Sequence, residues 1–169
     1  MTHPVVAFDL FGTVFDMSNV DRAELREYGE HLREFYETGV YKPLRLPESW
    51  KDLEPFEDSA EGIATLRRKG YVVVTCSNAP FDLQKKMIAK RPLLFDGIVP
   101  MESVRVFKTH PAAYLQICDI WKLTPSDVTF VTANKEFGDI EASAALGMKP
   151  ALIRHASAFR DIIDLANNL

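Results

Sequence analysis

The stretch that decides the fold is PVVAFDLFGT, residues 4–13. Residues 4–8 form a short apolar run, partly β-branched, that ends directly at the carboxylate of Asp9. An apolar run without polar alternation is typical of a strand covered on both faces, as in a parallel sheet. Gly12 then permits a tight turn, and Thr13 follows Asp9 by four residues. The stretch therefore predicts a buried strand that delivers a carboxylate to the edge of a sheet.

Strand-like and helix-like segments alternate along the rest of the chain. Further apolar runs predict strands over residues 71–76, 97–100, 128–132 and 150–153. Helical spacing of apolar residues predicts helices over residues 58–69, 81–90, 111–121, 137–146 and 158–165. This alternation predicts an α/β fold with an open parallel, Rossmann-like sheet and right-handed crossovers.

Residues 17–55 break the alternation, because no strand follows the first one there. Residues 21–37 carry an apolar stripe at spacings of three and four, formed by Leu25, Tyr28, Leu32 and Phe35. A proline-containing loop follows. We interpret residues 17–55 as a small helical cap insertion, and residues 1–16 and 56–169 as the α/β core.

Composition limits the function classes. Of 169 residues, 47% are apolar and 26% charged, and the net charge of −4 gives no footprint for nucleic-acid binding. We expect no membrane partner, since no apolar run approaches the roughly 18–20 residues that span a bilayer. The first residues lack a basic region typical of a signal peptide, so a cytoplasmic location is expected. Cys76 and Cys118 are expected to be buried free thiols.

Polar side chains gather just after the predicted strands. Because the carboxyl ends of parallel strands open on one edge of a sheet, these side chains should converge there. One lysine, two carboxylates, and several hydroxyls and amides make a site suited to nucleophilic attack on a small anion, rather than a core. The residues concerned are Asp9, Thr13, Ser77, Asn78, Lys108, Thr132, Asn134 and Asp139.

Four segments in order resemble the motifs of the haloacid dehalogenase superfamily. They are FDLFGTVFD at residues 8–16, VTCSN at 74–78, VRVFKTHP at 104–111 and TANKEFGDI at 132–140. Each segment is weak evidence alone, but four in order, each at a predicted strand end, are a strong signal. The resemblance implies that Asp9 is the nucleophile.

Within the superfamily, the sequence is most similar to the metal-independent type II 2-haloacid dehalogenases. Phosphatases of the superfamily carry an acidic residue two positions after the nucleophile, and here that position is Phe11, which cannot transfer a proton. Tyr114 and Asn134 follow Lys108 by six and 26 residues, as in the dehalogenase pattern. The resemblance implies a hydrolase that acts on a small organic acid, with no cofactor.

The resemblance also implies a role for each residue. Asp9 attacks the substrate and forms an aspartyl ester, which water then hydrolyses. Lys108 and backbone N–H groups near Gly12 are expected to keep the pKa of Asp9 low. The implied catalytic residues are Asp9, Thr13, Ser77, Lys108 and Asp139, and the implied substrate-binding residues are Phe11, Gly12, Asn78, Tyr114, Thr132 and Asn134.

Two alternatives stay open. The first is a Mg²⁺-dependent small-molecule phosphatase, in which Asp9, Asn134 and Asp139 would hold the metal. The second is a catalytically inactive member that binds a ligand or partner, since the insertion is shorter than the family's cap.

The short insertion leaves two features open. The family uses a cap arginine to bind the departing halide, and no motif selects among Arg22, Arg26, Arg33 and Arg45. An apolar patch of Tyr36, Tyr41 and Trp50 is predicted on the insertion, and a homodimer through the cap could cover it.

Overall fold

The computed structural model describes residues 3–169 and has an open parallel sheet as its centre. Four strands are paired in the order β2-β1-β3-β4. They are β1 (Val5–Phe8), β2 (Val72–Thr75), β3 (Val128–Thr132) and β4 (Lys149–Leu152). Because β1 lies between β2 and β3, the strand that ends at Asp9 is central. The predicted open parallel α/β fold is confirmed.

Within residues 3–169, six α-helices connect and cover the strands. They are α1 (Arg22–Thr38), α2 (Ser59–Arg68), α3 (Phe81–Ala89), α4 (Pro111–Trp121), α5 (Asp139–Ala145) and α6 (Ile162–Asn168). Short 3-10 helices lie at Glu48–Asp52, Met101–Ser103 and Pro125–Asp127. Every predicted helix exists in the structure, but α5 and α6 begin later than predicted. Gly138, with φ 81°, precedes α5, and the Asp161 side chain caps α6 by accepting the Asp164 N–H.

The predicted strand over residues 97–100 is wrong. Gly97 makes a single parallel bridge to Val74 at the edge of the sheet. The Val99 N–H bonds to the Thr75 hydroxyl at 3.1 Å rather than to a backbone carbonyl. Pro100 has no N–H to continue a ladder, so pairing stops after one bridge.

The hydrophobic core lies on both faces of the sheet. Along β1, Val6 and Phe8 pack into one cluster of buried residues, while Val5 and Ala7 pack into another. A Cβ on Gly62 of α2 would lie 2.5 Å from Ile162 of α6, so only glycine permits this helix pair to approach so closely. The apolar runs of the sequence follow from this double coverage.

The two ends of residues 17–55 meet beside β1. The Asp16 N–H bonds to the Glu54 carbonyl, and the Phe56 N–H bonds to the Val14 carbonyl, each at 2.8 Å. Residues 17–55 therefore leave and re-enter the core at one place and carry α1 between. Their standing as a separate cap domain stays a prediction.

Trp50 was predicted to belong to an apolar surface patch on the insertion, and this prediction is wrong. Trp50 is 1% exposed and donates its indole N–H to Glu24 at 3.0 Å. Its ring packs edge-on against Phe11 and Tyr28, so it ties the insertion to the loop after β1. Tyr36 is 45% exposed. The apolar surface available to a second copy is thus smaller than predicted.

No helix within residues 3–169 is both long and apolar enough to cross a bilayer. Cys76 and Cys118 are free and buried, as predicted. Burial raises the pKa of the Cys76 thiol to about 12, so this thiol stays protonated and unreactive at neutral pH.

Candidate active site

A cavity of about 280 Å³ lies at the carboxyl edge of the sheet, between the strand-end loops and α1. Its polar border comes from the core and includes Asp9, Asn78, Lys108, Asn134 and Asp139. Its other border comes from residues 17–55 and consists of Met17, Leu25, Tyr28, Gly29, Leu32 and Tyr36. The cavity is therefore a pocket with a charged end and an apolar wall, which is the usual make-up of a small-molecule site.

Asp9 is the most constrained side chain in this pocket. It is 4% exposed. Oδ1 accepts the Leu10 N–H at 2.9 Å and faces Lys108 Nζ at 2.9 Å. Oδ2 accepts from Asn134 Nδ2 and, at longer range, from the hydroxyls of Thr132 at 3.4 Å and Thr13 at 3.5 Å. Because donors surround both oxygens, the carboxylate is held in one orientation.

Backbone bonds set the direction of the two hydroxyls beside Asp9. Thr13 Oγ1 accepts the Ala133 N–H at 2.9 Å, and Thr132 Oγ1 accepts the Asn134 N–H at 3.0 Å. Each hydroxyl oxygen thus accepts a backbone N–H of the loop after β3, and its hydrogen is directed toward Asp9. These contacts lock the β1 and β3 loops together around the carboxylate.

Lys108 links Asp9 to a second buried carboxylate. Its Nζ lies 2.9 Å from Asp9 Oδ1 and 3.5 Å from Asp139 Oδ2. The Tyr114 hydroxyl donates to the other oxygen of Asp139. Burial is the main cause that raises the pKa of Tyr114, so its hydroxyl stays protonated as a donor. Tyr114, Asp139, Lys108 and Asp9 thus form one continuous polar chain.

The pKa of Asp9 lies above its usual value, contrary to the expectation from sequence. Burial raises this pKa, and the Lys108 ammonium opposes the rise while the Asp139 carboxylate adds to it. Burial by itself would lower the pKa of Lys108, but the carboxylates of Asp139 and Asp9 raise it above its usual value. Lys108 is therefore charged throughout the neutral range and is the group that favours ionised Asp9.

One of the N–H groups near Gly12, that of Leu10, lowers the pKa of Asp9, as expected. The Leu10 N–H contacts Asp9, whereas the Gly12 N–H bonds to the Phe15 carbonyl at 2.9 Å. Gly12 has φ 74°, which a side-chain-bearing residue rarely adopts. Gly12 therefore shapes the turn beside Asp9 instead of donating to the carboxylate.

Phe11 occupies the position two residues after Asp9. It is 6% exposed, and its ring packs edge-on against Tyr28 at 5.8 Å and Trp50 at 5.1 Å. These contacts fix the ring in an aromatic cluster between the β1 loop and the insertion. No proton donor stands at this position.

The predicted site residues divide into those that border the cavity and those beneath it. Asn78 borders the cavity, and its Oδ1 accepts the Lys108 backbone N–H at 2.9 Å. Ser77 is fully buried, and its hydroxyl accepts the Ala79 N–H at 3.1 Å. The residues bordering the cavity are Asp9, Phe11, Gly12, Asn78, Lys108, Asn134 and Asp139, and those beneath it are Thr13, Ser77, Tyr114 and Thr132. The substrate contacts implied for Tyr114 and Thr132, and any direct catalytic contact of Ser77, would need these buried side chains to move.

The arginines considered for halide binding lie elsewhere. Arg22, Arg26, Arg33 and Arg45 do not border the cavity. Among residues 3–169, Lys108 is the one cationic side chain that does. Any anion in the cavity therefore faces this single ammonium group.

Sequence reasoning missed Tyr36 as a site residue. Its hydroxyl donates to the Lys108 carbonyl and so connects α1 to the lysine loop. Burial raises the pKa of Tyr36 to about 12, which keeps the donor protonated. The helical stripe in the sequence includes Tyr28 and Leu32 but cannot show that its far end reaches Lys108.

Arg154, just beyond β4, was missed as well. Its guanidinium donates to the Thr13 carbonyl at 2.9 and 3.1 Å and pairs with Asp58 at 3.0 Å. It also stacks over the Phe56 ring at 3.8 Å. A charged residue just after an apolar run at the carboxyl edge was the available signal.

We expect an Arg154→Met variant to unfold more easily and to turn over more slowly. Two charge-assisted hydrogen bonds and a half-buried ion pair are lost, which costs about 2–3 kcal/mol of unfolding free energy. Thr13 then loses the anchor of its backbone, and with it the alignment of Asp9. Urea unfolding and steady-state kinetics measure both effects. Arg160→Met is the control, because Arg160 is 80% exposed; equal behaviour of the two variants would contradict this role.

The α/β fold and the comparisons with known proteins define the chain as a hydrolase. The sequence model of the haloacid dehalogenase-like hydrolases matches residues 17–147. The chain belongs to this family.

Its relatives include 2-haloacid dehalogenases. The chain is 26% identical to the (S)-2-haloacid dehalogenase of Xanthobacter autotrophicus, over 88% of this chain and 78% of that enzyme. It is 27% identical to (S)-2-haloacid dehalogenase 4A of Burkholderia cepacia, over 53% of this chain and 40% of that enzyme. The solved Xanthobacter L-2-haloacid dehalogenase with chloropropionic acid covalently bound superposes with a TM-score of 0.74 and 24% identity, covering 92% of this chain and 79% of that one.

Proposed function

We propose that the protein displaces halide from small 2-haloacids through a covalent ester on Asp9. The observation that carries this proposal is the buried Asp9–Lys108 pair at the polar end of a closed-in pocket, with Asp9 held by five donors. A carboxylate is a weak nucleophile in water, and orientation and partial desolvation make it a stronger one. The similarity to 2-haloacid dehalogenases supports the choice of substrate class.

The reaction has two steps. An oxygen of Asp9 attacks the carbon that bears the halogen, the carbon–halogen bond breaks, and halide leaves with the bonding electrons. Water then loses a proton to Asp139 and attacks the aspartyl carbonyl, the bond from that carbon to the product oxygen breaks, and Asp139 returns the proton to this oxygen, which leaves as the alcohol while the carboxyl group of Asp9 is restored. Asp139 borders the cavity and contacts Lys108, so it is placed to take up the water's proton. Lys108 orients the substrate carboxylate.

Phe11 favours halide over the alkoxide of a phosphate ester as the leaving group. An alkoxide needs a proton as it departs, and general acids supply it. Halide leaves as a stable anion and needs none. The aromatic cluster around Phe11 offers no acid there, so the site is equipped for a leaving group that departs unprotonated.

The residues that would hold Mg²⁺ do not fit the ion. Lys108 Nζ lies between the carboxylates of Asp9 and Asp139, where a cation shared by them would sit. Asn134 directs its N–H₂ group, not its oxygen, at Asp9. An ammonium group already supplies the positive charge, so we derive no step through a metal.

Halide release should be independent of divalent metal. We expect bromide release from racemic 2-bromopropanoate at the same rate with excess EDTA and with added Mg²⁺. A generic phosphate ester, p-nitrophenyl phosphate, serves as the parallel substrate and should stay intact in both conditions. Phosphate release that requires Mg²⁺ would establish the phosphatase alternative instead, and no turnover of any substrate would favour the binding-only alternative.

A further inference from the structure

Gly29 stands in the middle of α1 without a backbone reason for glycine. The next glycine in the sequence, Gly39, ends the helix with φ 69°, a conformation that favours glycine. Gly29 has ordinary helical backbone and lies eight residues into Arg22–Thr38. Glycine at an interior helical position costs about 1 kcal/mol relative to alanine. Something other than backbone geometry must therefore account for it.

Packing gives no reason either. A Cβ built on Gly29 meets no atom within 4 Å, whereas a Cβ on Gly62 would collide with Ile162 at 2.5 Å. Gly29 thus faces open space rather than a closely packed neighbour. That space is the cavity, since Gly29 forms part of its wall.

The wall around Gly29 is apolar. Leu25 and Leu32 lie four residues before and three residues after it, on the same face of α1, and both border the cavity. Met17 borders the cavity as well. The charged groups, Asp9, Lys108 and Asp139, stand on the core side, while α1 also contributes Tyr28 and Tyr36 to the wall. The gap at Gly29 is therefore suited to hydrocarbon.

We infer that Gly29 is a specificity-determining residue that makes room for an alkyl substituent on the carbon attacked by Asp9. This inference rests on the proposed function and narrows its substrates to 2-haloalkanoates with a short alkyl chain. Leu25 and Leu32 bury that chain, and the missing side chain of Gly29 provides the volume. Glycine at this position makes the helix less stable than alanine would, but it leaves this volume open in the cavity.

The test compares wild type with Gly29→Leu and Gly29→Ala on bromoacetate, 2-bromopropanoate, 2-bromobutanoate and 2-bromohexanoate. The ratio of variant to wild-type kcat/KM cancels the intrinsic reactivity of each substrate. For Gly29→Leu this ratio should stay within about threefold of one for bromoacetate. For 2-bromohexanoate it should fall about 60-fold, the equivalent of three buried methylene groups. Gly29→Ala should show a smaller loss in the same order.

Folding and position are controlled separately. Gly29→Ala should raise Tm by about 2–4 °C through helix propensity, so a loss of long-chain activity there cannot come from unfolding. Glu30→Leu adds the same side chain at the adjacent, exposed position and should leave every ratio near one. A uniform fall across the series, or no change at all, would overturn the inference.

A binding measurement keeps this inference separable from the proposed function. Wild type should bind butanoate and hexanoate more tightly than acetate in calorimetry, by about fourfold per methylene, and Gly29→Leu should lose that gain. If wild type releases no bromide from any substrate but shows this chain-length pattern, the proposed reaction fails and the role of Gly29 holds. If affinity is independent of chain length in wild type, the role of Gly29 is refuted.

Discussion

We expect an Asp9→Asn variant to release halide at least about 10⁴-fold more slowly than wild type, because the nucleophile of the proposed reaction is removed. The amide is nearly isosteric with the carboxylate, but it carries no charge and attacks carbon poorly. Lys108 keeps Asp139 as a partner at 3.5 Å, so its charge is not left unpaired. We therefore expect Tm to move by only a few degrees. Bromide release and thermal unfolding measure the two quantities on the same samples.

Oxygen labelling shows whether Asp9 bonds to the substrate or only activates water. In a single turnover in H₂¹⁸O with enzyme in excess, the label should enter Asp9 and be absent from the product, because water attacks the aspartyl carbonyl. Label in the first product molecule would show direct attack by water and contradict the ester. Asp16→Asn is the matched control, because Asp16 accepts the Ser18 N–H at 2.9 Å and does not border the cavity.

We expect a Lys108→Met variant to show the second largest effect, on both the reaction rate and its pH dependence. The Lys108 ammonium lowers the pKa of Asp9, against burial and Asp139, which raise it. Without the ammonium the pKa of Asp9 rises further, so a smaller fraction of Asp9 is ionised at a given pH. We expect kcat/KM at pH 7 to fall at least about 10³-fold. The acid limb of the pH–rate profile should move to higher pH.

The loss of the Lys108 charge should also lower the folding stability of the Lys108→Met variant. Removing one partner of a buried ion pair costs about 3–5 kcal/mol, because Asp9 and Asp139 then lie close together without a cation. A carboxylate whose pKa is raised in the folded state makes the fold less stable as the pH rises through and above the ordinary carboxylate pKa, so Lys108→Met should lose more stability with rising pH than wild type does. Lys135→Met removes an exposed lysine from the β3–α5 loop and should change neither property. An acid limb that stays in place would show that Lys108 does not set the ionisation of Asp9.

Much of the site could be predicted because the carboxyl ends of parallel strands lie at one edge of the sheet, which brings together residues that are far apart in the sequence. Residues that follow β1 and β3 share one edge, so Asp9 and Asn134, 125 positions apart, are in hydrogen-bond contact. Lys108 follows an irregular segment rather than the predicted strand, yet it reaches Asp9 at 2.9 Å. The motif order was sufficient here even where one element was misassigned.

The direction in which the pKa of Asp9 is shifted could not be predicted from the sequence. The sequence shows a lysine and two carboxylates but not their burial, and burial decides the direction of the Asp9 pKa. Side-chain partners were equally hidden. Ser77 and Asn78 are adjacent in sequence, but the Ser77 hydroxyl bonds to Ala79 while Asn78 borders the cavity and bonds to Lys108.

The sequence by itself determined the open parallel sheet, the covering helices and the family, because apolar periodicity and strand-end polar residues are local patterns that the topology places at one edge. Only the tertiary structure decided that Arg154 anchors the Thr13 loop and that α1 lays Leu25, Gly29 and Leu32 along the cavity. The reason is physical. Such contacts join segments far apart in the chain, and their distances depend on how the whole core packs.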